Sequence, residues 1–157
     1  MIATQAPQSK GTDSITVRRE IAATAEELFD AWLDVESLAE IMRPDCKDRA
    51  TVTADARVGG TFEIMMHKES ASYPHSGTYL VIDRPHVLEF TWISHATGNA
   101  ATKVRVEFHV MSTDRDNPKT EVVLRHHLLP GEAAARAHTG GWTDILQLLD
   151  QYAAREG

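Results

Sequence analysis

The strongest constraint on how this chain folds is one amphipathic segment near its C-terminus, Gly140-Gly141-Trp142-Thr143-Asp144-Ile145-Leu146-Gln147-Leu148-Leu149-Asp150-Gln151-Tyr152. Trp142, Ile145, Leu146, Leu149, Tyr152 and Ala153 recur at three- and four-residue steps and form one stripe of an α-helix, with Asp144, Gln147 and Gln151 opposite. Apart from helical stretches near the start, the upstream chain reads as strands with one apolar face. A striped helix and a one-faced sheet must each bury that surface. One long helix laid on a curved antiparallel sheet does both, which makes the expected class α+β.

Residues 1–13 are small and polar without periodicity and read as a flexible tail, followed by a single domain over 14–157. Ser14 to Ile21 alternates as a first strand. Thr24-Ala25-Glu26-Glu27 has the spacing of a capping box and starts a helix carrying Leu28, Phe29 and Trp32. A second short helix, with Val35, Leu38, Ala39 and Met42 on one side, ends before Pro44. Strands are predicted at 50–57, 61–68, 78–82, 87–93, 102–111 and 120–128. Gly59-Gly60, the segment 72–77, Asp83-Arg84-Pro85-His86, Thr97-Gly98-Asn99 and 112–119 separate them as turns or loops. Pro130-Gly131 opens the C-terminal helical region.

Alternation along the strands names the inward face. It contains Phe62, Ile64 and Met66, then Leu88, Phe90 and Trp92, then Val104, Val106, Phe108 and Val110, then Val122, Leu124, His126 and Leu128. Strand 78–82 is apolar on both registers and has no readable orientation. His126 is the departure, a polar ring on the apolar face. It reads as a hydrogen-bonded core histidine, a polar anchor for a ligand, or a base, and a base needs an orienting partner. No Asp or Glu falls on that register to provide one.

The sequence has 157 residues, 42% of them apolar, which suits one globular domain. Its net charge of −7, from 23 acidic and 16 basic side chains, argues against a nucleic-acid partner. No apolar run approaches the ~18 residues of a membrane span, so no stable membrane insertion is expected. Cys46 is the single cysteine, which excludes an intrachain disulfide and makes cytoplasmic the expected location. Eight histidines invite a metal reading. However, His126 and His127 point to opposite faces, and only His67 and His75 are placed to meet across a hairpin, with no third ligand. No metal or cofactor is therefore expected. Gly59-Gly60 leads into a strand rather than a helix and is no phosphate loop. Cys46 has no partner that would activate it.

Five motifs occur in order: Gly59-Gly60-Thr61-Phe62; Gly77-Thr78-Tyr79-Leu80; Pro85-His86-Val87-Leu88-Glu89-Phe90-Thr91-Trp92; Leu124-Arg125-His126-His127-Leu128-Leu129-Pro130; and His138-Thr139-Gly140-Gly141-Trp142. Together they resemble the START-like, or SRPBCC, superfamily, and within it the branch named after the activator of the 90-kDa heat-shock protein ATPase. The resemblance spans about 14–154. It implies a helix-grip fold, β-α-α-β6-α, with an apolar cavity between sheet and helix. Gly141 is then expected to let the helix backbone approach sheet or ligand closely.

Relatives with this fold include carriers, receptors and cyclases, so fold does not settle activity. The leading expectation is a non-enzymatic carrier or sensor of a small apolar molecule. Its cavity would be lined by Phe62, Ile64, Met66, Phe90, Trp92, Phe108, Leu124, Trp142, Ile145 and Leu149, with His126 and Tyr152 as polar anchors. Two alternatives stand beside it: a co-chaperone-like interaction module that includes a possible homodimer, and a cyclase- or hydrolase-type enzyme using the same cavity.

Overall fold

The computed structural model describes residues 6–156. Its elements follow the expected order: β1 (Asp13–Ile21), α1 (Ala25–Leu33), α2 (Val35–Ile41), β2 (Thr51–Ala54), β3 (Thr61–Lys68), β4 (Ala71–Asp83), β5 (Val87–Trp92), β6 (Thr102–Ser112), β7 (Lys119–Leu129) and α3 (Glu132–Glu156). The strands form one curved antiparallel sheet in the order β1-β7-β6-β5-β4-β3-β2, with α3 as its long C-terminal helix. This is the α+β helix-grip architecture. β1 crosses to the far edge because α1 and α2 intervene, and β7 returns beside it.

The two short helices begin where the sequence supplies caps. Thr24 Oγ1 accepts the Glu27 amide at 3.1 Å, one half of the expected capping box. Asp34 ends α1 and caps α2, its carboxylate accepting the Ser37 amide at 3.2 Å. The apolar stripe of α1 faces the sheet, where Phe29 meets Phe108 edge-on with centroids 5.4 Å apart. Beyond Phe108 the sheet face is no longer covered, and Val110 is exposed.

Two bulges explain where alternation misleads. Tyr79 pairs with Phe90, yet Val81 pairs with the adjacent Glu89, so Leu80 is an extra residue on β4. Tyr79 is buried before the bulge and Ile82 packs on the core after it, while Leu80 is 39% exposed. Both registers of this strand are apolar because the strand changes face midway. Near the end of β7, Leu128 takes a left-handed φ of 66°. The ladder to β1 shifts there, and Leu129 replaces Leu128 in the core.

Two loop readings are corrected. Segment 72–77 is strand: β4 runs unbroken from Ala71, paired with β3. Past the Ser76–Ile93 bridge, β5 has ended and β4 is paired on one side only, which is where a strand tolerates Pro74. Of the stretch read as a tail, residues 1–5 lie outside the described residues. Pro7 and Ser9 bond along Ala101, with the Ala101 amide donating to Pro7 O (2.8 Å) and the Ser9 amide to Ala101 O (2.9 Å).

The outer face of β5–β7 carries a cross-strand ion network. Glu89 lies 2.9 Å from Lys103 and 3.0 Å from Arg105; Glu107 lies 2.8 Å from Arg105 and 3.1 Å from Arg125. The hydrogen bond from Arg105, reinforced by His109 and Arg125, holds the Glu107 carboxyl down to about 2.

Gly77 tests how tightly this sheet closes. A Cβ there would lie 1.9 Å from Thr91 O and 2.6 Å from the Phe62 ring. We expect Gly77→Ala to cost about 1–3 kcal/mol in urea denaturation, the usual penalty for overpacking a filled site. An unchanged midpoint would show that the β4–β5 junction relaxes freely.

Candidate functional site

The space between sheet and α3 is organised by His126. Its ring is fully buried on the inner face of β7. The Trp142 indole N–H, which can only donate, reaches His126 Nδ1 at 2.9 Å. The proton must therefore sit on Nε2, which donates to Thr102 Oγ1 at 2.7 Å. The Thr102 hydroxyl then donates to Trp92 O at 2.6 Å. This chain runs from α3 through β7 and β6 to β5 and leaves neither ring nitrogen open. Burial, with the nearby His138 and His127, drives the His126 pKa down to about 2. The ring is a neutral structural link. To serve as a ligand anchor or a base it must first give up one of these bonds.

Around this link the interior is filled. Trp142 packs on Trp92 at 4.9 Å between centroids and on Trp32 at 6.3 Å, joining α3, β5 and α1. Phe62 meets Phe90 at 5.5 Å and Tyr79 at 5.2 Å. The void left beside Trp32, Phe62, Ile64, Phe90 and Trp92 measures only about 10 Å³, about the least that holds one water. Phe108, Leu124 and Leu149 belong to the buried core. Tyr152 lies elsewhere: it borders a cleft of about 360 Å³ between α1, α2 and the end of α3, beside Glu27, Asp30, Asp34 and Glu156.

Four of the expected cavity residues do meet around open space. Met66, Trp92, Trp142 and Ile145 line a pocket of about 170 Å³ at the mouth between α3, β3 and β4. It is completed by Pro44, Ala96, Ala137 and Gly141, and by two histidines that the sequence reading did not single out for this role, His75 and His138. His138 sits one helical turn before Trp142, edge-on to His126 at 4.7 Å, and its Nδ1–H donates to Ala134 O at 2.8 Å. His75 packs on Trp92 at 5.1 Å, with its Nδ1–H donating to Tyr73 O at 3.0 Å. Burial lowers the pKa of both, and the proximity of His138 lowers that of His75 further. His138 was legible as Trp142 minus four, on the stripe of the helix; His75 was hidden by reading its strand as a loop.

The remaining candidates resolve simply. His67 bonds to Thr51 (2.8 Å) and Ser72 (2.9 Å), and His75 pairs with Ile64, so the two do not meet. Among the described residues no three His, Cys, Asp or Glu side chains form a metal-binding group. Cys46 is half-buried and burial raises its thiol pKa. No described helix is long and apolar enough to cross a membrane. For Gly141 the sheet half of the expectation fails: a Cβ there would meet nothing within 4 Å, so no protein neighbour requires the glycine for close approach.

Solved structures share this architecture. An HSP90 activator from Plasmodium falciparum superposes with a TM-score of 0.70 at 22% identity, covering 90% of this chain and 96% of that one. A Mycobacterium smegmatis protein gives 0.72 at 19%, covering 98% and 99%. A solution structure from Staphylococcus epidermidis gives 0.72 at 19%, covering 96% and 94%. At these identities the likeness is one of fold. No curated protein matches the chain.

His126 sets a pH dependence. The unfolded ring titrates near 6.5 and the folded one at about 2, so between those values the unfolded state binds the extra proton. This contribution is intact above pH 6.5 and is lost as pH falls below it. We expect His126→Leu, which strands the Trp142 N–H, to cost about 1–3 kcal/mol at pH 7.5. The gap to wild type should narrow by up to about 1.4 kcal/mol per pH unit below 6. Urea denaturation from pH 7.5 to 5 measures it, and a constant gap would refute the neutral-link assignment. Residues 22–154 match the Activator of Hsp90 ATPase homolog 1-like protein family, and the chain belongs to that family.

Proposed function

We propose that this protein binds a small apolar molecule in the mouth pocket between α3 and β3–β4, rather than deep between helix and sheet. The observation that carries this reading is the pocket itself: about 170 Å³ walled by Met66, Trp92, Trp142 and Ile145, next to an interior with almost no free space. Ligand sites are typically apolar concavities with a few polar groups, and this one has two imidazoles. Its volume is close to that of a cavity that takes a single benzene ring.

Gly141 supports the same reading. A mid-helix glycine costs about 1 kcal/mol relative to alanine, and no backbone or side chain nearby demands it. Its place on the pocket wall gives it a purpose, since a larger residue there fills the opening. Gly140, also mid-helix and exposed, has no such explanation. An interaction module of the kind the family name describes is the second reading. What favours it is the filled interior, which leaves little room for a larger ligand. Cargo release, sensing of the bound molecule and a cytoplasmic location belong to the first reading.

Toluene tests the pocket directly. We expect saturable shifts of the Met66 methyl and of the Trp92 and Trp142 indole NMR signals in the native protein. Gly141→Leu should abolish them, while Gly141→Ala should keep them and raise stability by about 1 kcal/mol. Absence of binding, or binding unchanged by Gly141→Leu, would overturn the site and move weight to the interaction module.

A further inference from the structure

The mouth pocket carries two imidazoles, and the chemistry of the more buried one, His138, selects among small apolar molecules. His138 is 8% exposed and lines the pocket. Its Nδ1 must carry a proton, because it bonds to the Ala134 carbonyl, which can only accept. Burial keeps the ring neutral, so Nε2 holds a lone pair and no hydrogen. Nε2 has no hydrogen-bond partner among the described residues, and no buried side-chain nitrogen there lacks one, so Nε2 is reachable from solvent. His138 is a lining residue of the pocket, and we take its accessible Nε2 to face that space.

The geometry points to a ligand that is a single aromatic ring bearing one hydrogen-bond donor, a phenol-like or pyrrole-like N–H molecule, whose donor bonds to His138 Nε2 while its ring lies against Trp92 and Trp142. This inference rests on the mouth pocket being the binding site. Three observations set the class. The volume of about 170 Å³ limits the ligand to about one ring. Trp92 and Trp142, packed on each other at 4.9 Å between centroids, together form an aromatic wall of the pocket. The free nitrogen accepts and cannot donate, so a carbonyl or ether ligand gains nothing from it. An anionic ligand gains no charge partner either, because both His138 and His75 are held toward their neutral forms.

A matched series of phenol, anisole and toluene tests this on the native protein by NMR titration at pH 7.5. Without an acceptor in the wall, phenol binds more weakly than anisole, because it leaves its water-bonded hydroxyl unpaired. With Nε2 as acceptor, we expect phenol to bind about five- to tenfold more tightly than anisole, the worth of one net hydrogen bond. In His138→Phe, which keeps a planar ring and removes the acceptor, that preference should vanish, read as the phenol-to-anisole affinity ratio within the variant. Should His138→Phe fail to fold, the phenol-to-anisole ratio in the native protein still decides. If all three probes bind but phenol shows no advantage, the donor assignment falls and the pocket stands. If the advantage survives in His138→Phe, the acceptor is another group and the assignment to His138 falls. If none of the three binds, the pocket reading itself fails, and this inference with it.

Discussion

One hydrogen-bond chain holds helix and sheet together, and the remaining features of the site follow from it. Trp142 donates to His126, His126 to Thr102, and Thr102 to the carbonyl of Trp92, all within a region otherwise apolar. Each group alone is costly to bury, because an unpaired N–H or hydroxyl forfeits its water. Linked in series, every donor has an acceptor and the direction of each bond is fixed. The indole can only donate and the carbonyl can only accept, so the histidine has one available tautomer. This polar thread sets the azimuth of α3 on the sheet, where apolar packing alone tolerates sliding.

The azimuth of α3 decides where free volume lies. With its N–H engaged at His126, the Trp142 ring lies between Trp92 and Trp32, and the three indoles fill the centre of the grip. Phe62, Phe90 and Tyr79 complete that aromatic cluster against β3–β5. What space remains is displaced one helical turn toward the N-terminus of α3, where the side chains become small: Ala137 and Gly141 face Met66 and His75 across about 170 Å³. A helix-grip fold can therefore trade a deep cavity for a dense core and still keep a recess at its mouth. The filled centre stabilises the grip, and the recess is the volume that the large residues leave.

Much of this was legible in the sequence because two periodicities are strong. The helix stripe of Trp142, Ile145, Leu146 and Leu149 and the inward register of β3, β5 and β6 name the buried residues, and all are buried in the fold except Val110, which lies past the covered part of β6. Failures cluster where one local feature breaks a period. A one-residue bulge at Leu80 exchanges the two faces of β4, and a left-handed Leu128 does the same at the end of β7. The loop reading of 72–77 relied on Pro74, Ser76 and Gly77, yet an end of β4 paired on one side accepts proline, and Gly77 is small because Thr91 and Phe62 crowd it. The site was harder to read for a different reason. Alternation says that a residue faces inward, but whether it fills space or borders it depends on the volumes of neighbours on other elements. His126 was recognised as anomalous from its register alone; that its partners are Trp142 and Thr102 depends on the crossing of α3 over β6 and β7.

The same electrostatics order the protein's response to acid. His126, His138 and His75 are held neutral by burial, with folded pKa values below the ordinary histidine value. As pH falls below about 6.5 the unfolded rings take up protons that the folded rings refuse, so stability declines first through this buried group. The surface carboxylates act in a lower window. Arg105 and Arg125 hold Glu107 near 2, and the Arg84 hydrogen bond lowers Asp30, so these pairs contribute above about pH 4 and fade as pH falls toward their folded values. The pairs to Glu107 and Asp30 involve partly exposed arginines and are screened, whereas the His126 imidazole is fully enclosed. Added salt therefore weakens the lower window and leaves the upper one largely in place. The helix–sheet link, rather than the surface ion network, is the element that acid attacks first.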